Sequence, residues 1–166
     1  MSEVKSPIRI GDDAALLELV PSTSGVPTAE DQRMVLAAYH VSGKLGYRAR
    51  RSEAARIRDE VVASLREVQP RTVVAVFGGS HGASRRRVDR MARRITRGVS
   101  VIATNTVGSD TTVIGLVIMS GQERDLAATC VRHVATEPPA RGDGLVFHAA
   151  DLRRANIYEL IEEAVV

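Results

Sequence analysis

Residues 99–119, VSVIATNTVGSDTTVIGLVIM, decide how this chain is expected to fold. Residues 99–107 and 111–119 are rich in β-branched side chains and flank Gly108-Ser109-Asp110, a polar turn signal. β-Branched residues suit a pleated, half-buried surface. A three-residue link between two strands closes an antiparallel hairpin, whereas a parallel crossover needs about a dozen residues or more. The stretch therefore reads as two adjacent antiparallel strands.

Upstream of that hairpin, residues 72–77 form a compact run, TVVAVF, stopped by Gly78-Gly79, which reads as a buried strand. Residues 80–97 then read as a helix, with Val88, Met91, Ala92 and Ile95 on one face and Gly98 placed as its C-cap. Downstream, residues 122–135 read as a helix and residues 145–148 as a last strand. Asp151 is placed to cap a terminal helix through Ile157, Leu160, Ile161 and Ala164. The order from residue 72 is β-α-β-β-α-β followed by one more helix, which is the order of a ferredoxin-like α+β sandwich. A nucleotide-binding α/β sheet is the second reading, because a strand, a glycine loop and a helix come first; the tight hairpin argues against it.

The N-terminal part reads differently. Residues 1–27 hold Pro7, Pro21 and Pro27 and read as an arm with at most a short helix over 13–20. Thr28 before Ala29-Glu30-Asp31 reads as an N-cap opening a helix through residue 40 or 41, which Ser42-Gly43-Lys44 breaks. Residues 49–68 read as a longer helix with an apolar stripe, ended before Pro70. The expected organisation is an arm at 1–27, a helical extension at 28–70 and the ferredoxin-like domain at 71–166. Residues 113–118 barely alternate between apolar and polar, so both sheet faces are expected to be covered, by the N-terminal helices or by another subunit.

Charge is unevenly spread over the 166 residues. Residues 48–97 hold fourteen Arg and no Lys against five acids, while the segments on either side are net acidic. Such polarity suits a polyanionic partner or head-to-tail self-association. No apolar run approaches the roughly eighteen residues of a membrane span, and residues 1–5 lack the pattern of a secretory signal, so a cytoplasmic protein without a membrane partner is expected. One cysteine, Cys130, excludes an internal disulfide and a cysteine-built zinc site. No Trp, two Phe and three Tyr leave few platforms for stacking nucleic-acid bases.

Three groups of residues are candidates for function. Gly78, Gly79, Ser80 and Gly82, with Arg85, Arg86 and Arg87 after them, form a glycine-rich turn into a helix, where free N–H groups and guanidiniums favour an anion. The turn has neither the spacing of a dinucleotide fingerprint nor the Lys-Ser/Thr of a P-loop. Ser80, His81 and His148 are the candidates for nucleophile and base, with Asp151 as a conceivable orienting group. Gly108, Ser109 and Asp110, with Arg90 and Arg94, are candidates for an interface or a pore in an oligomer. No metal and no cofactor is expected, since His81, His133 and His148 lack metal-ligand spacing.

The leading expectation is a non-catalytic homo-oligomer, a ring or particle component, whose basic middle pairs with a neighbour's acidic C-terminal region, where the acids are Glu123, Asp125, Glu159, Glu162 and Glu163. The first alternative is a small enzyme or sensor that holds a phosphate-type ligand at residues 78–87. The second is a nucleic-acid-binding regulator that uses the arginines of residues 85–97.

Overall fold

The computed structural model describes residues 8–18, 34–80, 82–106 and 111–166. Five strands form one sheet in the order β1-β2-β3-β4-β5, and every neighbouring pair is parallel. The strands are β1 (Ile8–Gly11), β2 (Met34–Val41), β3 (Thr72–Gly79), β4 (Thr112–Ile118) and β5 (Val146–His148). The helices are α1 (Ala14–Leu17), α2 (Tyr47–Val68), α3 (Arg85–Thr106), α4 (Gln122–Thr136) and α5 (Ile157–Val165), with a 3-10 turn at Ala149–Arg153. The fold is thus α/β with a parallel sheet, and the ferredoxin-like sandwich is overturned.

The error lies in residues 99–106. They continue α3 through Gly98, so neither a C-cap at Gly98 nor an antiparallel hairpin forms. Val88, Ala92, Ile95, Val99 and Ala103 are all buried, and their spacing extends one helical stripe across the whole element. Val101 is 61% exposed and lies off that stripe. Burial of one face outweighs the weak β preference of Val, Ile and Thr. The turn residues Gly108, Ser109 and Asp110 lie outside the described residues.

β2 is the second correction. Residues 34–41 were expected as helix, yet they pair along their whole length with β3, from Met34 opposite Thr72 to Val41 opposite Gly79. The run MVLAAY is buried at every position, and such an all-apolar run fits a two-faced strand as well as a buried helix. β1 extends the sheet from residues expected in an arm.

Each face of the sheet has its own core. Leu36, Val74 and Ile114 lie in one row, and Ala38, Val76, Leu116 and Phe147 in another, both against α4, α5 and Leu16 of α1. On the opposite face Ala37, Ala75, Gly115 and Val146 form a row of mostly small residues under α2 and α3. Tyr39 and Phe77 lie on that same face with ring centroids 6.4 Å apart. Asn156, not Asp151, caps α5: its side chain accepts from the N–H groups of Tyr158 and Glu159, and Glu159 returns the bond to the Asn156 N–H. No helix among the described residues is long and apolar enough to cross a membrane.

The strand order advances in one direction while the crossing helices change face. α2 and α3 cover one side and α4 the other. The β4–α4–β5 crossover therefore has the opposite hand to the two before it, a rare arrangement in parallel sheets. At their carboxyl ends β3 and β4 send their connections to opposite faces of the sheet, to α3 and α4.

Candidate functional site

Two loops, one after β2 and one after β3, leave the carboxyl edge of the sheet and are fastened to each other. The Ser80 N–H donates to the Val41 carbonyl at 3.2 Å, and its Oγ donates to the same oxygen at 3.4 Å while accepting from the Gly43 N–H at 3.3 Å. The Arg87 guanidinium donates to the Gly43 carbonyl. A Cβ on Gly43 would lie 2.6 Å from the carbonyl carbon and oxygen of Gly82, so the loops stack backbone on backbone and tolerate no side chain there. Gly82 itself has φ +87°, in the left-handed region, and its Cβ position opens onto free space.

The β3–α3 loop delivers the chain into α3. Ser84, not Ser80, caps the helix: its Oγ accepts from the Arg87 N–H at 3.3 Å and its carbonyl accepts from Val88 at 3.2 Å. The first N–H groups of a helix have no intrahelical acceptor and carry a partial positive charge. Arg86 is exposed beside them with no carboxylate partner among the described residues.

The next contact comes from α4. Glu123 is buried, with 6% of its side chain exposed, and uses both oxygens: one pairs with Arg85 at 3.1 Å and the other accepts from the Met119 N–H at 2.8 Å. Glu123 thus ties the start of α4 to the start of α3. Arg85 is paired with it and Arg87 is held by the Gly43 carbonyl, which leaves the Arg86 guanidinium the one of the three with no such contact among the described residues.

On the β1 side the edge is acidic. Asp12 accepts from the His40 N–H at 3.1 Å and pairs with Arg56 at 3.1 Å. Asp13 caps α1 through the Leu16 N–H at 3.1 Å and holds its second oxygen 3.8 Å from His40 Nδ1. These acids, with Gly43 and Glu123, were missed from sequence. Gly11-Asp12-Asp13 and Ser42-Gly43-Lys44 both carry turn signals, and each gains meaning only as the end of a parallel strand.

The residues considered for catalysis are placed apart in role. Ser80 is engaged in fastening the loops, and His81 lies outside the described residues. His148 Nε2 is 3.0 Å from Asp89 Oδ1, and Asp89 also accepts from Arg93 Nε at 2.9 Å. Asp151, the expected partner of His148, sits instead in the 3-10 turn, its carbonyl accepting from Arg154. Cys130 is buried in α4, and burial pushes its thiol up to about 12. Among the described residues no group of three or more His, Cys, Asp or Glu is placed to hold a metal ion.

Arg90 and Arg94 line a groove between α2 and α3, together with Tyr47, Arg50 and Arg87. Arg87 therefore touches both the loop pair and the groove. Comparison of the chain with protein-family models, with curated proteins and with solved structures returned no match.

Proposed function

We propose that the protein binds a small phosphorylated ligand at the carboxyl edge of the sheet, with its phosphate against Gly79, Ser80, Gly82 and the first turn of α3. The observation that carries this reading is the change of face between α3 and α4. In open parallel α/β sheets, ligands sit in the crevice opened where neighbouring strands send their connections to opposite faces. Here the edge at which β3 and β4 send their connections to opposite faces carries the glycine loop, a capped helix start and Arg86, which has no carboxylate partner among the described residues. Backbone N–H groups can approach an anion closely where glycines remove the side chains, and a guanidinium adds charge-assisted bonds.

An assembly role drew chiefly on the polarity of charge and secondarily on strand faces that asked for a second covering layer. Both faces are covered by this chain's own helices, so the charge pattern alone remains in its favour.

The test is calorimetric titration of the protein with a panel of nucleoside phosphates, sugar phosphates and pyrophosphate. At least one should bind the unmodified protein. Arg86→Ala should weaken that binding about tenfold or more, as expected for losing a hydrogen bond to a charged group. Gly43→Ala, which forces the two loops apart, should abolish it while the fold persists by circular dichroism. Failure of the whole panel, or unchanged affinity in both variants, would refute the reading.

A further inference from the structure

We infer that the groove between α2 and α3 binds a single strand of nucleic acid through its phosphates. Two adjoining cavities of about 170 and 240 Å³ share Ala54 and Arg94 and form one recess between these helices. Arg50, Arg51, Arg90 and Arg94 line it, and none has a carboxylate partner among the described residues. On the same two helices Arg56, Arg58 and Arg93 are each paired with an acid. Cations left together without counter-charges repel one another, and a polyanion relieves that repulsion.

The form of the recess selects the polyanion. From Arg87 to Gly98 it follows α3 for about 16 Å at 1.5 Å per residue, with guanidiniums roughly 5 Å apart along the axis. That length suits several phosphates in a row and exceeds a single one. The cations line a recess with the apolar side chains of Ala54, Met91 and Ile95 between them, a mixed lining that suits the phosphates and exposed base faces of a single strand. Tyr47, 65% exposed, offers its ring at one end, and an aromatic beside a basic channel is how single strands are held without sequence preference.

A second copy docking through α5 fits less well. Among the acids of α5, Glu159 is held in the capping box and Glu163 pairs with Arg154, so of these three Glu162 alone is unpaired. That helix would bring one free carboxylate to four guanidiniums.

The experiment is fluorescence anisotropy with a labelled twelve-nucleotide oligo(dT), from roughly 50 to 200 mM salt. Binding should weaken with a log–log slope of about −2 to −3, as for three or four phosphate contacts on a single strand. The Arg90→Ala/Arg94→Ala variant should lose at least tenfold in affinity and reduce the slope by about 1.4. Tyr47→Ala should lose about fivefold or more with the slope unchanged. Arg124→Ala/Arg132→Ala removes the same charge from α4 on the opposite face of the sheet and should change affinity less than threefold. Arg86→Ala, which lies outside the groove lining, should change oligonucleotide affinity less than threefold, which separates this groove from the loop site. The inference is overturned by no binding at the lowest salt, by equal loss in the α4 variant, by equal loss in Arg86→Ala, or by self-association that the Arg90/Arg94 variant alone abolishes.

Discussion

Cys130 shows how burial settles what a single residue can do. A thiol attacks as thiolate, and desolvation in the α4 core pushes this one up to about 12, so it is almost entirely protonated at neutral pH. It should resist an aromatic disulfide reagent in the native protein and react at once in denaturant; rapid native labelling would contradict its burial. Arg56 acts in the opposite way, through charge. It joins Glu53, Glu60 and Asp12, and so ties the loop after β1 to α2. The Arg56 guanidinium, bonded to Glu53, holds that carboxyl below its ordinary range. A lowered pKa stabilises the fold above the unfolded value of roughly 4.3, and the contribution is lost as pH falls through the folded value. Thermal melts of the protein and of Arg56→Ala should therefore differ by a constant amount above about pH 5 and converge in more acid solution. A gap that widens on acidification would be the wrong sign.

At the scale of elements, the chain announced some of its structure and concealed the rest for a definite reason. β3, β4, β5, α2 and α4 are read in class and near their ends, because strong apolar runs or stripes coincide with glycine or proline stops. Residues 99–106 and 34–41 are misread because local preference and tertiary burial disagree there. In the first, a helical stripe passes through β-branched residues; in the second, a strand buried on both faces has lost its alternation. These two errors conceal the parallel sheet, since a helix at 99–106 and a strand at 34–41 together turn a hairpin into successive crossovers. Val101 tests the first point. In the interior of a helix and 61% exposed, it should be replaceable by alanine with a gain of about 0.5 kcal/mol from helix propensity. In a strand the same substitution would cost stability, so the sign of the change in a urea melt decides.

For the whole molecule, the direction of the sheet gives the glycine loop its meaning. Gly78, Gly79, Ser80 and Gly82 were picked out from sequence as an anion site, but without a parallel sheet they were only a turn before a helix. The structure places them at the carboxyl edge, with Gly82 packed against Gly43 of the neighbouring loop and Glu123 tying the start of α4 to α3 beside them. Sequence reasoning could not find Gly43 or Glu123, since each matters through a partner some 40 residues away. The polarity of charge also has a spatial side: six of the fourteen arginines of residues 48–97 line the recess where α2 and α3 lie side by side, next to the loop pair.

The most direct measurement is an amide NMR spectrum of the ¹⁵N-labelled protein titrated with pyrophosphate. Binding at the carboxyl edge predicts saturable shifts concentrated at Gly43, Gly79, Ser80 and the amides of residues 82–87, absent in Gly43→Ala. No saturable shift, or shifts confined to the α2–α3 groove at Arg90 and Arg94, would contradict an anion site in the glycine loop.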